Sequence, residues 1–213
     1  MSAEQGIVVR DFRPEDRDAA IGVLVASFEG FAPLDQVVGG GREAHDRRRS
    51  MYELALREGT KQHVIVAERD GGIKGVLTYV DRPGCIPSVR ETLAAVRIAG
   101  PRLLTLIRDF RMVGKAHPRT PHRHLPALGV RPEAQGLGIG GLLMSEYTRR
   151  CDEAGLEGYL ETVRWADPRR RAQERLYERH EFVVAHVVPV TDVWSMVTMK
   201  RPATAPTGRA TAR

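Results

Sequence analysis

The chain has 213 residues, 42% of them hydrophobic and 28% charged, the balance of one packed α/β domain and not of a disordered or fibrous chain. Its net charge of +6 invites a nucleic-acid reading, but Lys200, Arg201, Arg209 and Arg213 fall in the stretch from 200 to 213 and leave only +2 for the rest, which argues against a dedicated nucleic-acid binder. The start lacks the basic and apolar regions of a leader, and no run reaches the roughly 20 apolar residues of a membrane span, so a cytoplasmic protein is expected.

Residues 7–10 read as a short strand, and Asp11-Phe12-Arg13-Pro14 leads into a helix with Pro14 in its first turn, where a missing N–H costs little. Ala20, Val23, Leu24, Ser27 and Phe28 then fall at i, i+3, i+4, i+7 and i+8, one buried stripe. A Gly/Pro-rich stretch over 30–41 separates this helix from a second at 42–57, whose Arg47-Arg48-Arg49 reads as a solvated face. Residues 63–67 and 73–80 form a hairpin turned at Asp70-Gly71-Gly72. Helices are expected over 88–99 and 102–113, parted by Gly100-Pro101. By position alone, residues 30–60 and 82–121 are expected to contact the substrate.

The second half alternates more regularly: strand 125–130, helix 137–154, strand 158–163, helix 168–179, then strands 182–188 and 193–199 joined by Pro189-Val190-Thr191-Asp192. One domain is expected over 1–201, with a disordered basic tail over 202–213. Cys85 and Cys151 lie far apart, without a CxxC pattern, and read as reduced thiols.

The most informative stretch runs from Leu128 to Leu143. A strand, a polar loop, four glycines within six residues (Gly136, Gly138, Gly140, Gly141) and an amphipathic helix together build an anion site. Glycines let successive N–H groups converge on a phosphate, and the helix adds its unpaired N–H groups and positive end. No Gly-Lys-Ser/Thr follows, which excludes a Walker A loop. Gly136-x-Gly138-x-x-Gly141 does satisfy the dinucleotide pattern, with Glu161 placed as a ribose-binding acid. Against that rival, five residues (Arg131-Pro132-Glu133-Ala134-Gln135) separate Val130 from Gly136, and no succession of βαβ units follows.

Gln135, Gly138 and Gly140 also fit the Q/R-x-x-G-x-G/A signature of the GNAT acetyltransferases, with the typical Leu-Gly-Val-x-Pro just upstream. Downstream, Tyr159-Leu160-Glu161-Thr162, Leu176-Tyr177-Glu178-Arg179-His180-x-Phe182 and Val193-Trp194-Ser195-Met196 make the chain resemble the puromycin N-acetyltransferase type of that family over residues 124–202. The resemblance implies an α/β (α+β) fold, a central mixed, mostly antiparallel sheet of about seven strands flanked by helices. It also implies acetyl-CoA as cofactor and a small-molecule amine as partner, without nucleic acid or membrane, in a monomer or homodimer.

On that resemblance, Gln135, Gly136, Leu137, Gly138, Ile139, Gly140 and Gly141 hold the pyrophosphate of coenzyme A, while Leu128, Gly129 and Val130 line its pantetheine arm. Tyr177 protonates the departing thiolate, and Gln173 takes the position of a family asparagine. An alkylammonium near pKa ~10 is no nucleophile until deprotonated. Glu161 is the first choice of base, with His122 and His124 next, two residues apart and on one side if their strand starts early. A zinc reading of His117, His122 and His124 has no Cys or Asp partner at ligand spacing, so no metal is expected. Two departures concern the last helix. Thr162 and Tyr177 are farther apart than in puromycin-type relatives, and Glu181 replaces a glycine, so the turn before Phe182 is expected to close without a left-handed residue. The rivals are a nicotinamide oxidoreductase and a coenzyme A-binding regulator without turnover.

Overall fold

The computed structural model describes residues 6–31, 34, 35, 38, 39, 42–57, 59–82, 96, 100 and 117–204. β1 (Val8–Asp11), a 3-10 turn (Pro14–Asp16) and α1 (Arg17–Ser27) come first, followed by α2 (Arg42–Ala55). β2 (His63–Arg69) and β3 (Gly72–Arg82) form the expected hairpin. Asp70 and Gly71 both take positive φ, 52° and 72°, the pair that matches the twist of the flanking strands. Then come β4 (His122–Val130), α3 (Ile139–Ala154), β5 (Glu157–Trp165), α4 (Ala172–Glu178), β6 (Val183–Pro189) and β7 (Trp194–Arg201). Apart from positions 96 and 100, the helices expected over 88–113 lie outside the described residues, as do Cys85 and the tail from 205 onward.

All seven strands join one sheet in the order β1-β2-β3-β4-β5-β7-β6, antiparallel except between β4 and β5. Both faces are covered. Ile65, Ala67, Leu77 and Tyr79 pack with Leu143, Met144 and Tyr147 of α3. Val66 and Val76 pack with Ile21 and Leu24 of α1 on the other side. A strand buried on both faces needs apolar residues at every position, which is why β2 shows no alternation. At Gly75 the α3 helix reaches bare backbone: a Cβ there would sit 2.5 Å from Ile139 Cγ2.

Several details differ from expectation, beginning with β4, which starts at His122 and not at Leu125. The α3 helix starts at Ile139, because Gly138 caps it with a left-handed φ of 85° and leaves Leu137 outside. The helix expected over 168–179 breaks at Arg171 into a 3-10 turn (Pro168–Arg170) and the seven-residue α4. Glu181 does adopt a left-handed φ, 65°, contrary to the expectation that its turn would avoid one. Beyond β7 the chain stays attached as far as Thr204, whose N–H donates to Asp152 Oδ1 at 2.8 Å. Among the described residues no helix is long and apolar enough to cross a membrane.

Two irregularities shape the middle of the sheet. β4 and β5 pair only from His122 and Glu157 to Leu125 and Leu160, after which β4 continues with β3 and β5 with β7. The strands part, and a cleft opens between them. In addition, Thr78 pairs with Ala127 while Val80 pairs with His124, so β4 carries one extra residue at Leu125-Pro126. Proline has no N–H to lose from a ladder, which makes it tolerable at such a bulge.

Candidate active site

One wall of the cleft is backbone. Arg131 N–H donates to Lys74 C=O at 2.9 Å, which makes Lys74 and Arg131 a hydrogen-bonded pair. Such pairs alternate along an antiparallel ladder, so Leu128 and Val130 turn their N–H and C=O groups away from β3, toward the side that β5 has left. Gln135 Nε2 meets Val130 C=O at 3.2 Å. The N–H groups of Leu128 and Val130 remain for a ligand lying along the strand. Gly129 is turned the other way. Its backbone pairs with Val76, and a Cβ on it would sit 2.8 Å from Ser27 Oγ, so α1 packing accounts for this glycine.

The wall continues into the glycine loop. Gly136 and Gly138 take φ of 79° and 85°, and no N–H from Gly136 to Gly138 donates to a described backbone carbonyl. The first turn of α3 follows, where Ile139, Gly140 and Gly141 have no acceptor one turn back, and the first helical bond is Leu142 N–H to Gly138 C=O at 3.1 Å. A run of free amides at the positive end of a 16-residue helix is an anion cradle. Leu176 of α4 closes over it, 3.3 Å from where a Cβ on Gly140 would be.

The other wall is side chain. Arg123 binds Asp81 and the Arg150 carbonyl of α3, so its neighbours His122 and His124 point to the opposite face. There His124 Nε2 lies 2.7 Å from Glu161 Oε2, and His117 Nε2 lies 3.2 Å from Glu161 Oε1. His117 Nδ1 is 3.2 Å from His122 Nε2, and His122 Nδ1 is 2.8 Å from the Thr120 carbonyl. The Tyr159 ring packs against all three imidazoles, with centroids 4.6 to 5.7 Å away. Burial alone would raise the Glu161 carboxyl, but His117 and His124 outweigh it and hold the group down at about 2. Burial lowers His122, despite its bond to Thr120, and raises Tyr159. Four buried polar atoms without hydrogen-bond partners gather here: His124 Nδ1, Tyr159 Oη, Glu161 Oε1 and Thr198 Oγ1.

The remaining expected site residues are spread more widely. Tyr177 sits in the α3-side core with its ring 6.4 Å from Phe182, and burial pushes its phenol up to about 12. Gln173 is exposed on α4. Cys151 is buried in α3 with its thiol pushed up to about 11 by desolvation, which removes it as a nucleophile. His117, Tyr159 and Thr198 were not foreseen around Glu161. The one hint in the sequence is that His122-x-His124 and Tyr159-x-Glu161 share a two-residue period on neighbouring strands.

A family model described as the acetyltransferase (GNAT) family matches residues 29–182. No curated protein matches the sequence. Among solved structures, a Corynebacterium glutamicum protein described as histone acetyltransferase HPA2 and related acetyltransferase is 23% identical, with 96% of this chain and 100% of that one covered and a TM-score of 0.69. The PaiA N-acetyltransferase of Thermoplasma acidophilum, solved in complex with coenzyme A, is 14% identical, with 92% and 100% covered and a TM-score of 0.56. Ard1 from Thermoplasma volcanium is 16% identical, with 93% and 99% covered and a TM-score of 0.53. These structures share the fold. A dinucleotide site is inconsistent with it, because Glu161 stands in mid-strand between two histidines and the sheet has a single parallel pair among its described strands. The chain belongs to the GNAT acetyltransferase family, enzymes that carry an acetyl group from acetyl-CoA to an amine.

Proposed function

We propose that this enzyme acetylates a small-molecule amine by direct attack within a ternary complex, with His124 as the proton acceptor. The free amides from Gly136 to Gly141, those of Leu137 and Ile139 included, receive the pyrophosphate, with Gln135 leading into the loop. The pantetheine arm lies along β4 as an added strand, paired with Leu128 and Val130, and the Val130 N–H faces the thioester oxygen as charge develops on it. The amine nitrogen forms its bond to the acetyl carbon and the carbon–sulfur bond breaks. Holding both reactants in one cleft supplies much of the rate.

The observation that carries the base assignment is the state of His124. Its Nε2 is committed to Glu161 Oε2 at 2.7 Å while its Nδ1 is buried without a partner. A carboxylate that takes the Nε2–H fixes the tautomer in which Nδ1 holds the lone pair. Glu161, held near 2, is a weak proton acceptor and serves as the positioning residue. This reverses the order in which the sequence ranked the two. The side chains of His124 and Glu161 are 10% and 17% exposed, so the acceptor must reach inward, as a slim alkylamine does. Tyr177 stabilises the departing sulfur by a hydrogen bond from its phenol. At about 12 that phenol gives its proton only uphill to a thiolate of pKa ~8.5.

The test is thiol release from acetyl-CoA across a panel of primary and secondary amines, comparing wild type with His124→Ala. Turnover with at least one amine, lost in the variant while coenzyme A still binds, supports the reading. Coenzyme A binding without release for any amine favours the non-catalytic regulator. Undiminished release in His124→Ala moves the base elsewhere.

A further inference from the structure

We propose that His117, His124 and Glu161 form a Zn²⁺ site in the side-chain wall of the cleft. Their ligand atoms all lie within 4.8 Å of one another, from three places in the chain: the segment before β4, β4 itself and β5. Two imidazoles and a carboxylate are the ligand set that leaves zinc a fourth, open position. Tetrahedral bonds of about 2.0–2.2 Å put such ligand atoms about 3.3 Å apart, so the contacts of 2.7 and 3.2 Å are near that spacing and the two imidazoles, within 4.8 Å of each other, turn inward to close the set.

The hydrogen-bond chain behind His117 explains why a cation belongs there. The Thr120 carbonyl can only accept, so His122 Nδ1 carries a proton. With Nδ1 so engaged, His122 Nε2 is the atom that meets His117 Nδ1 at 3.2 Å, which leaves His117 Nε2 facing Glu161 Oε1 at 3.2 Å. A metal ion between those two atoms would take a lone pair from each. The His117–His122–Thr120 chain is then the outer support that orients a ligating imidazole. His124 fits as well, because its partnerless Nδ1 can take the proton displaced from Nε2. The mixed nitrogen and oxygen set suits zinc and disfavours magnesium and calcium, which prefer all-oxygen shells.

If His124 Nδ1 is the proton acceptor of the reaction, as proposed above, a zinc-bound His124 has lost that lone pair and the enzyme is inhibited. The test titrates tag-free, chelator-treated full-length protein with ZnCl₂ by calorimetry, with Co²⁺ absorption as a second measurement. One zinc per chain and intense four- or five-coordinate Co²⁺ bands are expected, with affinity at least tenfold weaker in His117→Gln. No binding by the wild type, or equal binding by a folded His117→Gln, overturns the site. If that variant does not fold, six-coordinate Co²⁺ in the wild type does so instead. Nitrogen-15 spectra with both His117 nitrogens protonated in the presence of zinc would also overturn it, since a proton would then hold the place of the metal. Zinc binding without loss of thiol release keeps the site and removes His124 from its role as base.

Discussion

The two walls of the cleft are made of different material. From Leu128 to Gly141 the wall is main chain: outward amides on an unpaired strand edge, two left-handed glycines and the first turn of α3. Across from it, the wall is a cluster of side chains from the segment before β4, from β4, from β5 and from β7, held by imidazole and carboxylate contacts. In the proposed function the first wall binds a feature every acetyl-CoA molecule carries, for which backbone suffices, and the second meets a variable amine and handles a proton, which amides cannot do. The comparison predicts that the first wall is damaged mainly by adding a Cβ and the second by removing a functional group.

The largest effect is expected at His124. His124→Ala should lower kcat by about 10²–10⁴, the usual worth of a positioned base, with the coenzyme A Kd changed by less than about twofold. Steady-state kinetics and calorimetry separate the two. A parallel loss of cofactor affinity would mean that the walls are not independent. Tyr177→Phe comes next. Losing one hydrogen bond to a charged sulfur costs about 1.5–3 kcal/mol, or roughly 10- to 150-fold in kcat. Burial favours the protonated phenol up to about 12, so the loss should be uniform between pH 7 and 10 in a pH–rate profile. A shifted alkaline limb would give Tyr177 a different task.

On the backbone wall, Gly138→Ala places a side chain at φ 85°. A left-handed residue with a Cβ costs about 1–2 kcal/mol, so coenzyme A binding should weaken about 5- to 30-fold by calorimetry. At saturating cofactor, kcat should stay within about twofold, because the proton chemistry lies across the cleft. An equal fall in kcat would show that the loop also sets the position of the thioester.

The same division explains what could be read in advance. The loop was legible because its parts are contiguous: Gln135 to Gly141 carry the spacing, the φ freedom and the helix start in one stretch. The hairpin and sheet were legible through periodicity and the Asp70-Gly71 turn. The cluster was not. His117 and His124 are close in number, but Glu161 and Thr198 reach them only through the β4–β5 and β5–β7 pairings, and spacing carries no trace of that. The bulge at Leu125-Pro126 was equally hidden, although it decides which face each β4 residue takes. Gly129 misled for the opposite reason, since its place in a family motif concealed its contact with α1.

Glu181 tests the backbone half of the comparison from the other side. It holds a left-handed φ of 65° with a Cβ in place, where a glycine would sit without strain. Glu181→Gly should relieve about 1–2 kcal/mol of strain and return roughly half of that through the greater freedom of the unfolded chain. The lost carboxylate matters little, because Glu181 is 75% exposed where it pairs with Arg201, and Arg201 keeps both oxygens of Asp152 at 2.7 and 3.0 Å. The net expectation is a gain of about 0.5–1 kcal/mol, a rise in Tm of about 1–4 °C by calorimetry. A fall instead would mean that the Glu181–Arg201 pair holds this turn against its own strain. Side chains would then fix the backbone there, as they do in the histidine cluster.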